Sequence, residues 1–243
     1  MRIAKFLANA GLGARRTMET YVLEGRVKVN GEVFTELGKK IDSEKDIIEM
    51  DGKKIELKSE HLYIALNKPA GYLSTTEDTH GRKTVLDLLS SDPTLQGEKL
   101  AIVGRLDKES EGLLLLTNDG ALAHKLMHPS FEKEKEYIVH FRGHLSDEAL
   151  EQLEKGVYIP TDEGTFMTQP VKVFSIDYKN GRTKVHMILK KGKKRQIRLM
   201  GEAVGSQVTH LQRIRIGTLK LKNLPLSEFR RLDEKEIESL QSL

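Results

Sequence analysis

The stretch GRLDKESEGLLLLTNDG, residues 104–120, places charged side chains directly before a run of four leucines. A short apolar run such as 113–117 is typical of a buried strand. Gly104 and Gly112 bracket the charged part, and glycine permits close main-chain approach. Asp107 is therefore predicted where a loop meets the edge of a sheet, with Arg105 and Lys108 able to keep its carboxylate ionised. A turn or capping role is the alternative for a single aspartate.

The composition is that of a folded, water-soluble protein. Of 243 residues, 31% are charged and 38% are hydrophobic, and cysteine is absent. The absence of cysteine excludes disulfides, thiolate catalysis and cysteine-ligated metal. No apolar run approaches the roughly 18–20 residues of a membrane span, so we expect a cytoplasmic protein without a membrane segment.

The basic residues are concentrated towards two ends of the chain. Residues 1–28 hold six Lys/Arg and two Glu, residues 179–231 hold fifteen Lys/Arg and two Glu, and residues 29–178 hold eighteen basic and twenty-eight acidic residues. This distribution favours a polyanion bound at two places, for which nucleic acid is the usual candidate. Scattered solvated lysines are the alternative, but they explain the clustering less well.

Residues 1–57 predict a small module of two helices and two hairpins. Apolar residues in 3–10 recur at helical spacing, and a second helix is expected over 17–24. Asn30-Gly31 and Asp51-Gly52 each lie between short strands, a strong hairpin signal because both turn positions need positive φ. The polar residues 58–61 form the predicted linker.

Residues 62–243 predict a second, strand-rich domain. Without a regular strand–helix–strand alternation, the chain is classed as α+β, with a catalytic domain on a mixed, largely antiparallel sheet. Strands are expected at 62–68, 113–117, 135–141, 171–178 and 183–190, and helices at 121–128 (ended by Pro129), 146–156 and 196–204.

The first module resembles the alpha-L RNA-binding motif through RIAKFLANAGLGARR and VLEGRVKVNG, although Ala14 replaces the usual serine before the arginine pair. Its basic residues are expected to share a face and to contact phosphates rather than bases. An ordinary charged surface is the alternative. The predicted RNA-binding residues of this module are Lys5, Arg15, Arg16, Arg26 and Lys28.

The second domain resembles the RsuA/RluB/RluE/RluF family of rRNA pseudouridine synthases. The resemblance rests on residues 104–120, on LNKPAGYLSTTED at 66–78, on KEKEYIV at 133–139 and on GKKRQIRLM at 192–200, and it covers essentially the whole chain. Residues 66–78, 104–110 and the closing LPLSEFRRL are closest to RluF. Leu199 departs from the pattern, since members often have a second basic residue there.

The resemblance implies roles for four residues and no cofactor. Asp107 begins the isomerisation at the ribose, by attack on C1′ or by removal of the C2′ proton. Tyr137 packs on the uracil ring and accepts the C5 proton. Arg198 forms a salt bridge with Asp107, and Arg105 contacts RNA near the flipped base. Without the motifs, Tyr137 would be an ordinary core tyrosine and Arg198 the partner of Glu202 in a surface ion pair.

Two further clusters of side chains have the chemistry of binding sites. Lys193, Lys194 and Arg195, beside the last motif, are predicted to bind RNA phosphates. His124 and His128 have the i, i+4 spacing of zinc ligands, but there is no glutamate between them and no evident third ligand, so no metal site is expected.

The sequence thus predicts a monomeric enzyme that converts one uridine of structured rRNA to pseudouridine, with a large-subunit (23S) stem-loop favoured as substrate. Small-subunit rRNA and tRNA remain alternatives. A non-catalytic assembly factor that binds rRNA is the alternative from another class. It is less favoured because Asp107, Tyr137 and Arg198 are all present.

Overall fold

The computed structural model of the protein describes residues 1–43, 45–56, 61–127, 133–190 and 192–243. Its first part is a small helical and β module. Two helices pack against a four-stranded sheet of order β2-β1-β3-β4, around a core that includes Phe6, Met18 and Ile48. The elements are α1 (Ile3–Asn9), α2 (Arg15–Leu23), β1 (Val27–Val29), β2 (Glu32–Val33), β3 (Ile48–Met50) and β4 (Lys53–Lys54).

The remainder is built on one large mixed sheet. Its elements are β5 (Tyr63–Lys68), β6 (Ala101–Val103), β7 (Glu111–Thr117), α3 (Gly120–Met127), β8 (Lys135–Arg142), α4 (Asp147–Lys155), β9 (Tyr158–Thr161), β10 (Gly164–Met167), β11 (Lys172–Lys179), β12 (Arg182–Leu189), α5 (Gln196–Ala203), β13 (Val208–Ile216), β14 (Leu219–Lys220), β15 (Phe229–Arg231) and α6 (Glu234–Gln241). The strand order is β11-β12-β8-β13-β7-β5-β15, with β6 paired to β7 and β14 to β13. Strands β9 and β10 form a separate hairpin.

The pairing of β13 with β7 joins two halves of this sheet. It is parallel, whereas the other described pairs are antiparallel. In one half, β5 and β7 are buried on both faces, by α3 and α6 on one side and by the segment 85–102 on the other. In the other half, α4 and α5 cover one face of β8, β12 and β13. The α+β class and the mixed, largely antiparallel sheet are confirmed.

Most predicted elements are present close to their predicted bounds. The hairpin turns carry the expected positive φ, with Asn30 at 53° and Asp51 at 50°. Ser146 caps α4 by accepting a hydrogen bond from the Ala149 amide at 3.2 Å. The linker prediction lies outside the described residues except for His61, and so does Pro129.

Sequence reasoning missed several elements, above all β13 in the middle of the sheet. The β9–β10 hairpin, β6, β14, β15 and α6 were not predicted either.

No helix in the described ranges is long and apolar enough to cross a membrane.

Candidate active site

Asp107 lies in a loop that links β6 to β7. Neighbouring residues hold this loop in place by hydrogen bonds to its main-chain groups. The Oγ of Ser74 donates to the Leu106 carbonyl oxygen at 2.8 Å and accepts from the Leu106 amide at 3.2 Å. The Gly71 amide donates to the Lys108 carbonyl oxygen at 2.7 Å. Asp107 itself is half-buried.

Lys68 is a cation buried beneath this loop. It ends β5 with no exposed surface. Its ammonium donates to four carbonyl oxygens, those of Pro69, Asp107, Lys108 and Ser110, at 3.0, 3.2, 3.3 and 2.8 Å. A buried charge needs such compensation, since an isolated ammonium is strongly disfavoured away from water.

Burial lowers the pKa of Lys68 to about 8, and the nearby carboxylates of Glu109, Glu111 and Asp107 partly oppose this shift. The cation therefore holds the loop by its carbonyls, while the carboxylate of Asp107 remains outside these hydrogen bonds.

Arg213 is a second buried cation under the same loop, and sequence reasoning missed it. Its side chain is 1% exposed. Its Nε donates to the Leu113 carbonyl oxygen at 2.8 Å, and its Nη1 donates to the Arg105 carbonyl oxygen at 3.4 Å. Its buried Nη2 has no hydrogen-bond partner. Arg213 thus ties the loop before Asp107 to the start of β7.

Gly112 is required by the close approach of β13 to β7. A Cβ atom built on Gly112 would lie 2.2 Å from the Arg213 carbonyl oxygen, and the residue has φ +104°. No larger residue fits without moving one of the two strands. The glycine that brackets the opening motif therefore has a packing role at the junction of the two half-sheets.

Tyr137 lies on the same face of the sheet as Arg213. It is on β8, directly opposite Arg213 of β13 and Met187 of β12. It is half-buried and packs against the core cluster under α4 and α5. Gly112, Arg213 and Tyr137 therefore occupy one level across three adjacent strands, which brings Tyr137 towards the loop that carries Asp107.

Arg198 and Asp107 both lie in the described ranges, and no ion pair within 4.0 Å joins them there. Arg198 lies on α5, and its Nη1 donates to the Val208 carbonyl oxygen at 3.3 Å, while its Nη2 donates to the Glu109 carbonyl oxygen at 3.2 Å. These main-chain acceptors occupy the guanidinium, and its buried Nε has no partner. Arg198 still reaches the same loop, two residues beyond Asp107.

The basic cluster of the last motif is partly neutralised by acidic residues. Lys193 pairs with Glu163 at 3.0 Å and Lys194 with Asp162 at 3.1 Å, both acids belonging to the tip of the β9–β10 hairpin. Arg195, which begins α5 in the left-handed region at φ 56°, lies 3.7 Å from Glu109. All three cations are exposed, as is Arg105.

The first module keeps only part of its predicted cationic surface free. Arg26 forms two hydrogen bonds to Asp51, at 2.9 and 2.6 Å, and stacks on the Tyr21 ring. Arg15 pairs with Glu19 at 3.2 Å. In the described ranges no carboxylate lies within 4.0 Å of the remaining predicted cations, which are Lys5, Arg16 and Lys28.

No group of three or more His, Asp or Glu side chains in the described ranges is arranged to hold a metal ion. His128, one of the two histidines at zinc-ligand spacing, lies outside those ranges.

Comparison with known proteins assigns both parts of the chain. Residues 62–203 match the RNA pseudouridylate synthase family, and residues 1–48 match the S4 domain. The chain is 39% identical over 242 residues to "Ribosomal large subunit pseudouridine synthase B" of Bacillus subtilis, covering 100% of this chain and 96% of that protein.

Two further relatives support the same family assignment. A protein of the same name from Yersinia pestis is 38% identical, covering all of this chain and 76% of the relative. A solved structure described as a pseudouridylate synthase superimposes with a TM-score of 0.69 at 30% identity, over 99% of both chains. Both named relatives are called synthase B, whereas the sequence motifs led us to expect a closer likeness to RluF. By these similarities over its full length, the chain belongs to the RNA pseudouridylate synthase family.

Proposed function

We propose that this enzyme isomerises a uridine of large-subunit rRNA to pseudouridine and that Asp107 initiates the reaction. The substrate class is supported by the full-length similarity to a protein named as a large-subunit synthase, by the S4 match and by the basic ends of the chain. The two parts act as an RNA-binding domain at residues 1–57 and a catalytic domain at 62–243, in a monomeric, cytoplasmic protein.

The main support for the role of Asp107 is the way in which two buried cations fix its loop. Two buried cations, Lys68 and Arg213, bind the main chain on either side of Asp107. A carboxylate that must act on one atom of a bound ribose gains rate from such preorganisation, because misplacement by about 1 Å costs on the order of a hundredfold. A turn aspartate has no need of two buried cations.

The reaction is balanced within the substrate. The bond from C1′ to N1 breaks, a bond from C1′ to C5 forms, and the proton lost from C5 is matched by one gained at N1. Asp107 acts at the ribose, either by attack on C1′ or by removal of the C2′ proton, and the uracil turns before it rejoins. Neither oxidant nor cosubstrate enters this balance.

Three other residues serve the same site. Tyr137 packs on the uracil ring and accepts the C5 proton. Arg105, exposed at the start of the loop, occupies the gap left when the uridine leaves its stack, a step that costs a few kcal/mol. Arg198 holds the loop through the Glu109 carbonyl oxygen.

Phosphates of the surrounding RNA are bound by the two basic regions. In the first module, Lys5, Arg16 and Lys28 are free to make these contacts. Beside α5, Lys193, Lys194 and Arg195 exchange their acidic partners for phosphates when RNA binds.

Release of tritium from rRNA labelled at uridine C5 tests the proposal, since isomerisation must free that hydrogen. We expect release with wild type and none with Asp107→Asn, whose fold is checked by its melting temperature. Release by both proteins would overturn the role of Asp107. If release occurred only with tRNA or small-subunit rRNA, the substrate assignment would be wrong while the chemistry stood.

A further inference from the structure

Among the described residues, no helix or second sheet covers one face of the half-sheet formed by β11, β12, β8 and β13. On the other face of these strands, Val139, Phe141, Val185 and Met187 are buried under α4 and α5. Along β12 the burial alternates strictly, with each second residue left partly or fully exposed. The remaining described helices belong to other core clusters. We call this uncovered side, opposite to Tyr137, the open face.

The open face is defined by residues paired across the four strands. The strand register forms three successive rows that run across the strands. The first row contains Lys179, Arg182 and Arg142. The second contains Asp177, Lys184, His140 and His210, and the third contains Phe174, His186, Ile138 and Gln212.

The first of these rows consists of three cations. Lys179, Arg182 and Arg142 lie directly opposite one another on adjacent strands, and all three are exposed. Paired residues have Cβ atoms about 5 Å apart, and like charges in such pairs are destabilising. Lys184 adds a fourth cation in the next row, where Asp177 is its cross-strand neighbour. None of the four has a carboxylate within 4.0 Å in the described ranges.

Beside this row the face carries both signs of charge, since Glu111 lies 3.9 Å from His210 and Glu136 lies 3.5 Å from His186. The pKa of His140 is lowered, first by burial and then by the nearby charges of His210, Lys184 and Arg182. The one glutamate of this face that β8 supplies, Glu136, is already bound by Arg215 at 2.9 Å. A row of unpaired cations that weakens the sheet is retained most simply when an anion covers it.

Aromatic rings lie beside the cations. Phe174 is 39% exposed, and its ring lies 5.4 Å from that of His186, while the His140 and His210 rings are 5.1 Å apart. A surface that binds unpaired RNA usually combines two features. Its cations contact the phosphates along the RNA backbone, and its aromatic rings stack on the bases. An acidic protein would use the cations but has no need of the rings.

A second copy of the chain is disfavoured at the neighbouring edge. Strand β11 is the last strand of the sheet, and its register shifts between Phe174 and Asp177, where Ser175 has φ 53°. Such a bulge, with lysines at both ends of the strand, opposes pairing with another strand.

We propose that the open face is a second RNA-binding surface, on which Lys179, Arg182, Arg142 and Lys184 bind backbone phosphates of an unpaired RNA segment outside the candidate active site. The proposal rests on an RNA substrate, and it extends the contact beyond the reacting uridine and the S4 domain to the opposite side of the catalytic sheet.

The test compares Arg142→Gln/Arg182→Gln with a control, Lys220→Gln/Lys235→Gln, which removes two exposed cations elsewhere. Full-length proteins are titrated with a large-subunit rRNA transcript at several salt concentrations. We expect the first variant to bind about tenfold more weakly, with a salt slope lower by about 1 to 2, and the control to match wild type. Equal affinity and equal slope for both variants would overturn the proposal.

Two more readouts separate this surface from the active site and from misfolding. Because the substitutions remove repulsion between like charges, the melting temperature of Arg142→Gln/Arg182→Gln should equal or exceed that of wild type. The rate of tritium release at saturating enzyme should be unchanged, whereas an equal loss of that rate would place these residues in the catalytic machinery and overturn the proposal. Because affinity is measured without turnover, the result does not depend on which uridine reacts.

Discussion

Lys68 and Asp107 are connected through the main chain, because the ammonium of Lys68 donates to the carbonyl oxygen of Asp107 at 3.2 Å and to three further carbonyl oxygens around it. The cation therefore fixes where the carboxylate lies without binding it. The buried ammonium of Lys68 can therefore position the loop while the carboxylate of Asp107 stays free of hydrogen bonds to that ammonium.

Lys68→Met should lower both stability and activity. The substitution keeps the volume of the side chain but removes the donor to the buried Pro69 and Ser110 carbonyl oxygens, and each buried unsatisfied group costs about 1–3 kcal/mol. The Asp107 and Lys108 carbonyl oxygens keep the Ser110 and Gly71 amides as donors. We expect the free energy of unfolding to fall by about 2 kcal/mol or more in urea titrations. Lys108→Met, at an exposed position of the same loop, should change it by less than about 0.5 kcal/mol. Equal stability for the two variants would mean that the ammonium does not hold the loop.

The same residue predicts a pH dependence. The pKa of Lys68 is about 8 in the folded protein and 10.5 in an ordinary lysine, so between these values the unfolded state binds more protons. The contribution of Lys68 to the free energy of unfolding therefore rises with pH across that window, by at most about 3 kcal/mol. The stability difference between wild type and Lys68→Met should be larger near pH 10 than near pH 8. A constant difference would contradict the lowered pKa.

Arg213→Met should slow the reaction more than it weakens RNA binding. It removes the hydrogen bonds to the Arg105 and Leu113 carbonyl oxygens and so loosens the approach to Asp107. We expect the single-turnover rate at saturating enzyme to fall about ten- to a hundredfold, with the Kd for rRNA within about twofold of wild type. Arg213→Lys, which keeps a donor, should recover part of the rate. Loss of RNA affinity without loss of rate would exclude a positioning role.

Gly112→Ala should destabilise the protein strongly. The new Cβ would meet the Arg213 carbonyl oxygen, so β7 and β13 must separate. Gly143→Ala is the matched control, because Gly143 also has positive φ, +76°, but has no atom within 4 Å of the built Cβ. The control should cost about 1–2 kcal/mol for its backbone conformation alone, and Gly112→Ala clearly more. Similar melting temperatures for the two variants would argue against the steric role of Gly112.

Asp162→Asn/Glu163→Gln should strengthen RNA binding. These acids occupy Lys193 and Lys194, and their exposed ion pairs contribute less than about 1 kcal/mol each to stability. We expect a lower Kd for rRNA, by a few-fold, with an unchanged melting temperature. Glu151→Gln, which removes the exposed partner of Lys155 on α4, is the control and should leave the Kd unchanged. If both variants bind equally, RNA does not compete with the hairpin tip.

Local signals predicted much of the fold. Asn-Gly and Asp-Gly pairs located the hairpins because few other residues adopt two successive positive φ angles. The leucine run located β7, and the helical spacing of apolar residues located α1 and α5. These features depend on neighbours in the sequence, and a single sequence is sufficient to detect them.

The missed strand β13 shows why the rest of the fold was harder to predict from the sequence. Its buried residues are Val208, Leu211, Arg213 and Ile216, spaced by three, two and three positions. Register shifts at both ends of the pairing with β8 produce this spacing, which has neither the period of a strand nor that of a helix. Its central buried residue is an arginine, which no apolar pattern predicts.

Motifs nominated the candidate site residues, but they did not predict the contacts of those residues. Nothing in the sequence near Arg198 indicates that the Glu109 and Val208 carbonyl oxygens would occupy its guanidinium. Those acceptors come from segments about 90 and 10 residues away along the chain, brought together only by the sheet.

The central position of β13 also governs when the two halves of the sheet can be joined during synthesis of the chain. Strands β7 and β8 lie on opposite sides of β13, so within the sheet the strand that follows the Asp107 loop and the strand bearing Tyr137 are joined through residues 208–216. Residues 208–216 follow both strands in the sequence, so β7 and β8 cannot be joined during synthesis until this later segment has been made. Contacts so distant in sequence favour slow assembly of the sheet.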